Sequence, residues 1–382
     1  MNKPLEGLLV LEFCQFLAGP SAGLKLADMG ARVIKIERPV KGDACRQLAI
    51  KNLFVDDNSL LFHTINRNKE SYAADLKDAG DLQKVKELIA KADVMTHNFR
   101  PGVMEKIGLD FESVKTINPR IIYGVVTGYG NKGPWAAKPG QDLLVQSVSG
   151  LTYLSGMADE GPVPFGLSVA DILCGNHLTQ GILAALIKRA KTGKGVLVEA
   201  SLLESTLDMQ FEVLTTYFND GGKLPRRSAV KGQGHSYLSA PYGIYETADA
   251  YLALAMGNLQ AISTLIGCDL SGVYTDSRST FEKRDEIMLL IAERLKMKTN
   301  AEWLNILEAS GIWCAPVLNY QEATAHPAFK QLQIQQPLNL KDRVINTTRS
   351  PLQLDGEKLY SSKAAPEIGS GNDIINQEFN LA

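Results

Sequence analysis

The sequence predicts an α/β protein in which a large domain with an open, mostly parallel sheet is joined to a smaller α+β domain. Through the first half of the chain, short apolar runs alternate with amphipathic helical segments, the pattern of a parallel sheet covered by helices. The length of 382 residues exceeds what one hydrophobic core usually supports. A largely polar stretch with a Gly-Gly pair and a proline at residues 219–227 is a candidate linker between two domains.

The first elements are predicted to form a βαβ unit. Residues 8–13 and 32–36 are strand-like runs, and an apolar helical segment lies between them at 22–29. Because a helix connects the two strands, we expect them to be parallel. The alternation continues with a helix at 82–92 and strands at 94–96 and 120–126.

A long helix is predicted to begin at Asp171. Leu, Ile and Ala recur at three- and four-residue steps as far as residue 188, and Asp171 stands at the start of this run as a candidate N-cap. An N-cap Asp stabilises a helix by about 1 kcal/mol without touching any substrate. Taken alone, this segment favours a capping role, although the carboxylate is also a candidate nucleophile. Another helix is predicted at 202–218.

The smaller domain and the tail follow the linker. Residues 243–246 and 251–255 are strand-like on either side of a turn at 247–250. Helices are predicted at 281–296 and 300–310. We therefore predict a large domain at 1–222 and a small domain at 223–318. The C-terminal segment at 319–382 is expected to return to the large domain, since so long a tail is not expected to stay loose.

Charge and composition argue against several classes of partner. Lys and Arg number 40 against 42 Asp and Glu, for a net charge of -2, so a nucleic-acid partner is not expected. The five cysteines are scattered without the spacing of a metal site, which fits a reduced, cytoplasmic protein without a bound metal. No apolar run is long enough for a membrane span or a signal sequence, so no membrane partner is expected.

A series of short motifs runs in fixed order along nearly the whole chain. It includes LEGLLVLEF at 5–13, AGP at 18–20, GARVIKIERP at 30–39, NRNK at 66–69, NFRPG at 98–102, TGYG at 127–130, Asp171, TGKG at 192–195, APYG at 240–243 and CAPV at 314–317. The series resembles the class III CoA-transferases. Any one of these motifs is common by chance, but so many in one order are not.

The resemblance implies that Asp171 is a catalytic nucleophile, because an aspartate at this position has that role in the family. The positive end of the helix is expected to keep its carboxylate ionised at neutral pH. The resemblance also implies an interlocked homodimer. No permanently bound cofactor is expected, since CoA and acyl-CoA are substrates.

CoA carries a 3'-phosphate and a pyrophosphate, so its site needs cations and backbone donors beside an apolar slot for adenine. The resemblance implies CoA-binding roles for Phe16, Arg38, Asn98, Phe99, Arg100, Lys106, Gly130 and Lys138. It implies contacts with the acyl group or the acceptor for Gln141, His235, Gly257 and Asn258. Residues 256–258 resemble a mobile segment that closes over the site and keeps water from the intermediates.

Residues 128–133 spell G-x-G-x-x-G after a predicted strand, which invites a dinucleotide-binding interpretation. That fingerprint must open a helix, whereas Pro134 and Pro139 interrupt the chain directly afterwards. We therefore expect a pocket-lining loop and not a nicotinamide site. In the family this loop runs beside the thioester end of CoA.

Two alternative functions remain open. Racemases of 2-methylacyl-CoA resemble these transferases, but they need a second base, and Gln141 stands where they carry a histidine. A non-catalytic CoA-binding protein is the other alternative. Formyl-CoA is disfavoured as a substrate, because Leu17 replaces the glutamine of the formyl-CoA enzymes and Gln15 lies two positions earlier. A small acid, with succinate as the first candidate, is expected to meet Arg226, Arg227 or His235.

Overall fold

A computed structural model of the chain describes residues 3–274, 276 and 278–381. The strands of its central sheet are β1 Leu9–Glu12, β2 Arg32–Glu37, β5 Glu70–Ala73, β6 Val94–His97, β7 Ile122–Thr127 and β8 Val196–Ser201. The other strands are β3 Phe54–Val55, β4 Asn58–Ser59, β9 Gly243–Glu246, β10 Tyr251–Leu254, β11 Cys314–Pro316, β12 Gln335–Asn339, β13 Val344–Thr348, β14 Gln353–Leu354 and β15 Glu357–Lys358.

Sixteen α-helices lie in the described part of the chain. They are α1 Ala18–Asp28, α2 Leu60–Asn66, α3 Ala79–Lys91, α4 Val103–Lys106, α5 Phe111–Ile117, α6 Asp142–Val148, α7 Val169–Thr192, α8 Leu202–Met209, α9 Phe211–Asn219, α10 Leu259–Ile266, α11 Ser279–Glu282, α12 Arg284–Leu295, α13 Asn300–Ala309, α14 Tyr320–Ala325, α15 Pro327–Leu332 and α16 Asn372–Phe379. None of them is long and apolar enough to cross a membrane.

The central sheet has six strands in the order β5-β2-β1-β6-β7-β8, and every neighbouring pair is parallel. Strands β9, β10 and β11 form a separate antiparallel sheet. The predicted fold class, an open parallel sheet with a smaller α+β part, is confirmed. The strands predicted at 8–13, 32–36, 94–96 and 120–126 lie within one or two residues of β1, β2, β6 and β7.

Helices cover both faces of the central sheet, because successive strand side chains point to opposite sides. On one face, Val10 and Val126 pack with residues of α1 and α7, including Leu26 and Leu178. On the other face, Leu11 packs in a core built from α3, α5 and α16. The inner strands β1, β6 and β7 are thus buried on both sides, the usual condition of a parallel sheet, whereas the edge strand β8 is partly exposed.

The direction of winding reverses between β1 and β6. From β1 the chain builds outward through β2 and β5, and it then returns to place β6 on the other side of β1. Loops leaving the carboxyl ends of two such strands diverge and leave a crevice, where ligands of open α/β sheets bind. The loops that follow Glu12 and His97 are therefore the expected location of a ligand-binding site.

The described residues group into two compact units. The first comprises Met1–Val145, Leu167–Met209 and Gln331–Ala382, and the second comprises Gln146–Gly166 and Gln210–Lys330. The core of the second unit lies between its antiparallel sheet and helices α10, α12 and α13. The predicted domain boundaries at 222 and 318 stay a prediction about separately folding regions.

Several helix boundaries differ from the predicted ones. Helix α1 begins at Ala18, four residues early, because Pro20 is accommodated in a first turn. The helix predicted at 202–218 is broken at Gln210, whose φ of -93° and ψ of 17° are not helical. The helix predicted at 281–296 is likewise divided at Lys283. The apolar pattern continues through both breaks, so periodicity alone does not locate them.

Candidate functional site

Asp171 lies in the first turn of α7 but does not cap it. The helix begins at Val169, Ser168 occupies the N-cap position, and Asp171 is the third helical residue. The predicted N-cap role is therefore wrong. The chain turns two residues earlier than the apolar pattern suggested, with the N–H of Val169 donating to the carbonyl of Leu167 at 2.8 Å. The carboxylate of Asp171 therefore does not cap the helix, so capping does not explain why an acid stands at this position.

A second carboxylate lies beside Asp171. The backbone N–H of Asp171 donates to Oδ2 of Asp142, the first residue of α6, at 3.1 Å. Burial, and next the negative charge of Asp142, raise the pKa of Asp171 from 3.8 to about 7. The expectation that the helix end keeps Asp171 ionised at neutral pH is not supported, because an acid with a pKa of about 7 is only partly ionised there. A helix end contributes about 0.3–1 kcal/mol, less than the desolvation of this partly buried acid.

A glycine brings α7 close to α1 one turn after Asp171. A Cβ on Gly175 would lie 2.1 Å from Oγ of Ser21 and 2.7 Å from the carbonyl oxygen of Ala18. The two helices can approach so closely only because this side chain is missing. The start of α7 is therefore fixed against the start of α1, the helix that follows β1.

The glycine-rich loop at 128–140 closes on itself. A Cβ on Gly128 would lie 2.4 Å from Cα of Gly140, so the two ends of the loop are in backbone contact. No helix follows the G-x-G-x-x-G run directly, since α6 begins only at Asp142. The N–H of Gly130 donates to Oγ1 of Thr127 at 2.9 Å. That amide already has a partner within the loop.

The predicted residues at the end of this loop are exposed. Lys138 extends over the ring of Trp135, with Nζ 5.9 Å from the ring centroid. Gln141 is exposed directly before Asp142, and its carbonyl accepts the N–H of Val145 at 3.0 Å. Chain connectivity thus places Gln141 next to the carboxylate that contacts Asp171.

A pocket of about 220 Å³ opens at the carboxyl ends of β1, β2, β5 and β6. Its lining includes the predicted Arg38 and Phe99, together with Gln15. Asn98 lies beside it and holds the backbone of Gln15 at both ends, accepting its N–H at 2.9 Å and donating to its carbonyl at 2.7 Å. The pocket occupies the crevice where the sheet reverses its winding.

The remaining predicted cations and Phe16 lie around this pocket without lining it. Lys106 is the last residue of α4, between the lining residues Val103 and Ile107. Arg100 is exposed at the turn before α4. Phe16 is 49% exposed and has a φ of 65°, a left-handed conformation that is rare for a large side chain. The structure thus gathers most of the predicted CoA residues near one edge of the sheet.

Sequence reasoning missed the segment at 74–77, which also lines the pocket. Its residues Ala74, Asp75, Leu76 and Lys77 follow β5, the edge strand beside β2. The short run Ser71-Tyr72-Ala73 was an available strand signal. Only the sheet order shows that Lys77 comes near Arg38, since the two lie far apart in sequence.

The other predicted substrate residues belong to the second unit. His235 has Nε2 3.3 Å from Oε1 of Glu212, and its Nδ1 accepts the N–H of Tyr237 at 3.1 Å. Asn258 caps α10 by accepting the N–H of Ala261 at 3.0 Å, and Gly257 before it is exposed. Roles for these residues with Asp171 stay predictions.

The two arginines suggested for the acceptor differ in their surroundings. Arg227 donates to the backbone carbonyls of Ser155, Glu160 and Gly161. These hydrogen bonds give its guanidinium a structural role. Arg226 is exposed and lies 3.6 Å from Asp285. Within residues 3–274, 276 and 278–381, no group of three or more His, Cys, Asp or Glu side chains could hold a metal ion.

Comparisons with known proteins agree on one family. A family model described as CoA-transferase family III matches residues 5–372. The succinyl-CoA:glutarate CoA-transferase of Homo sapiens is 34% identical over 85% of this chain and 74% of its own. The acetyl-CoA:oxalate CoA-transferase of Acetobacter aceti is 32% identical over 98% and 96%. A crystal structure of a CAIB/BAIF family protein from Brucella suis superposes with a TM-score of 0.84 at 32% identity, covering 99% of this chain and 100% of that one.

Proposed function

The chain belongs to CoA-transferase family III, and from this membership we propose that it moves CoA from an acyl-CoA thioester to a free carboxylate through covalent intermediates on Asp171. The observation that carries the assignment to Asp171 is its setting: a partly buried acid in the first turn of a long helix, with a second carboxylate beside its backbone and a pKa of about 7. Strongly shifted acids of this kind cluster at active sites.

The first half-reaction takes CoA from the donor. A carboxylate oxygen of Asp171 attacks the thioester carbonyl, the carbon–sulfur bond breaks, and CoA leaves as its thiolate while a mixed anhydride forms. The thiolate then attacks the side-chain carbonyl of Asp171, and the donor acid leaves as its carboxylate. The product is a thioester between Asp171 and CoA, formed without net oxidation.

The second half-reaction repeats these steps in reverse with the acceptor. Its carboxylate attacks the aspartyl thioester, CoA thiolate leaves, and a new anhydride forms. The thiolate then attacks the acceptor's acyl carbon and frees the carboxylate of Asp171. Because thioester and anhydride are both activated acyl groups, no ATP is consumed.

The pocket at the carboxyl ends of β1, β2, β5 and β6 suits the nucleotide end of CoA. Arg38 and Lys77 bring two cations to its lining, and Phe99 and Leu76 supply apolar surface. Phosphates need such cations, and adenine needs an apolar slot. We therefore assign CoA phosphates to Arg38 and Lys77, with Lys106 and Arg100 as further contacts at the rim.

The acids exchanged are proposed to be small, with a dicarboxylate on at least one side. The two relatives named above act, by their names, on succinyl-CoA with glutarate and on acetyl-CoA with oxalate. Three of these four acids are dicarboxylic. Succinyl-CoA is the first donor to test, with glutarate and oxalate as acceptors.

The test is the intact mass of the protein after brief exposure to succinyl-, acetyl- and oxalyl-CoA. Wild type should gain the mass of CoA less one water, and hydroxylamine should remove it, because it cleaves activated acyl groups. Asp171→Ala should show no adduct yet still bind CoA. An adduct on Asp171→Ala would overturn the assignment of the nucleophile.

Two further measurements on the same protein, of α-proton exchange and of CoA binding, separate the alternatives. Exchange of the α-proton of a 2-methylacyl-CoA with solvent, without any adduct, would favour a racemase. Binding of CoA with neither adduct nor exchange would favour a non-catalytic binding protein.

A further inference from the structure

We propose that the buried ion pair between Lys35 and Asp43 is a positioning device of the CoA pocket, which holds residues 14–16 in the one conformation that shapes its wall. The inference rests on the proposed function, since it assigns a role within the same site. Neither residue is a predicted CoA contact, and the device acts through the loop that it holds.

Side chains, and not strand pairing, hold the backbone of residues 14–16. Nζ of Lys35 donates to the carbonyl of Cys14 at 2.7 Å. Oδ1 of Asp43 accepts the N–H of Phe16 at 3.1 Å. Between them, Asn98 holds both backbone groups of Gln15. Four consecutive polar groups of the loop are thus fixed from outside it.

Lys35, which bonds the carbonyl of Cys14, and Asp43, which bonds the N–H of Phe16, are themselves joined by the ion pair. Nζ of Lys35 lies 2.8 Å from Oδ2 of Asp43, and the two side chains are 1% and 0% exposed. Oδ1 of Asp43 also accepts the N–H of Cys45, at 2.9 Å. Charges removed from water hold their geometry tightly, because breaking one partner leaves the other buried and unpaired.

The pair belongs to a larger cluster that is balanced in charge. Glu12 accepts from Lys35 at 3.1 Å and from Lys69 at 2.9 Å, so two acids face two lysines. A Cβ on Gly23 would lie 1.8 Å from Oε2 of Glu12, so the glycine leaves the room that this carboxylate fills. Apolar side chains of similar volume could stabilise the fold equally well. They could not hydrogen-bond the carbonyl of Cys14 and the N–H of Phe16, as Lys35 and Asp43 do.

Residues 14–16 contain an unfavourable backbone conformation that the surrounding side chains must stabilise. Phe16 is in a left-handed conformation that is unfavourable for a large side chain and persists only where its surroundings impose it. Its ring stays 49% exposed, so packing does not impose that conformation. Cys14 and Gln15 line the pocket together with Lys35 and Asp43 themselves. Relaxation of Phe16 would therefore reshape the wall that faces CoA.

The test compares two buried acids of the first unit. Asp43→Asn keeps an oxygen for the N–H of Phe16 but removes the charge that holds Lys35. Asp28→Asn is the matched control, because Asp28 forms a comparably buried pair with Arg67, at 2.5 and 2.7 Å, and its carboxylate is bonded to Arg67 instead of to the backbone of residues 14–16. Titration calorimetry with CoA and steady-state kinetics with the donor identified by mass would be measured on both.

Asp43→Asn should weaken CoA binding and raise KM about ten-fold while kcat falls less than about three-fold, since the loop loses its preorganisation but Asp171 is untouched. Asp28→Asn should lose similar stability yet bind CoA as wild type does. Equal CoA affinity of the two variants would overturn the inference.

A double variant separates positioning from stability. Lys35→Met with Asp43→Asn removes one positive and one negative charge, so it should recover much of the stability lost by Asp43→Asn alone. The defect in CoA affinity should remain, because Lys35→Met removes the hydrogen bond to the carbonyl of Cys14. Recovery of CoA affinity together with stability would show a merely structural role. If wild type itself does not bind CoA, the proposed function fails, and that outcome is distinct from a failure of the positioning role.

Discussion

At the scale of single residues, Asp171 has two properties that oppose each other. As the proposed nucleophile it must be ionised, yet burial and the neighbouring Asp142 raise its pKa to about 7. A carboxylate of higher pKa is a stronger nucleophile when ionised, so a value near the working pH combines reactivity with a useful ionised fraction. If Asp171 is the nucleophile as proposed, the proximity of Asp142 tunes its reactivity through this pKa.

Transfer is expected to depend on pH through this group. Because only the carboxylate attacks, kcat/KM should fall about ten-fold for each pH unit below about 6 and level off above about 8. Asp142→Asn should move the midpoint to lower pH, since the like charge that raises the pKa of Asp171 is removed. The measurement is the pH profile of kcat/KM for both proteins.

A charge control is available for that profile. Asp208→Asn alters an exposed acid near His177 in the same unit and should leave the midpoint unchanged. A midpoint that stays near 7 in Asp142→Asn would show that burial alone sets the pKa of Asp171.

At the scale of elements, the contact between α1 and α7 connects the loop after β1 with the proposed nucleophile, Asp171. Gly175 lies one turn after Asp171, and Ser21 and Ala18 occupy the space its side chain would need. Both helices begin at the carboxyl edge of the sheet, where the pocket opens. Their close approach carries any shift of α1 to the first turn of α7.

Gly175→Ala should separate these helices. The added methyl group cannot be accommodated without backbone movement, so we expect a loss of about 1–3 kcal/mol in the free energy of unfolding, together with reduced transfer. Urea denaturation and steady-state kinetics would measure the two effects. Gly80→Ala in α3 is the control, since its Cβ would meet only Oδ1 of Asp78, at 3.2 Å, and stability should change by less than about 1 kcal/mol. An unchanged stability of Gly175→Ala would contradict the packing argument.

At the scale of the whole molecule, many large apolar side chains are exposed in the single chain. They include Leu144 at 42%, Phe211 at 66%, Phe218 at 72% and Leu224 at 81%. When large exposed apolar side chains are contiguous, they mark a surface that another protein covers. A second copy of the chain is the partner that we predict.

The mass in solution tests this prediction. Light scattering coupled to gel filtration should give twice the monomer mass of 41.6 kDa. Phe218→Asp should shift the protein towards the monomer, because a charge would be desolvated in the interface. Lys194→Asp, at an exposed and already polar position, is the control. A wild-type mass of one chain would leave the exposed side chains unexplained and refute the homodimer.

The sequence by itself determined the kind and order of the main elements of the first half of the chain, with the exception of β5. Apolar periodicity and glycine or proline breaks act over a few residues, so β1, β2, β6, β7 and α7 were predicted to within a few residues. The same local evidence did not place the first turn of α7, because a cap depends on one backbone angle and the apolar pattern does not specify it. The family motifs singled out Asp171, Arg38 and Phe99 before any geometry was known.

The tertiary structure alone decided which distant residues meet. Asp142 lies 29 positions from Asp171, and its effect on the pKa arises only because α6 and α7 begin side by side. Lys77 reaches the pocket because β5 pairs with β2. Asp43 accepts the N–H of Phe16, which lies 27 positions away in sequence. Contacts of this range depend on strand order and burial. No local propensity encodes either, and for that reason the electrostatics of the site could not be predicted from the sequence.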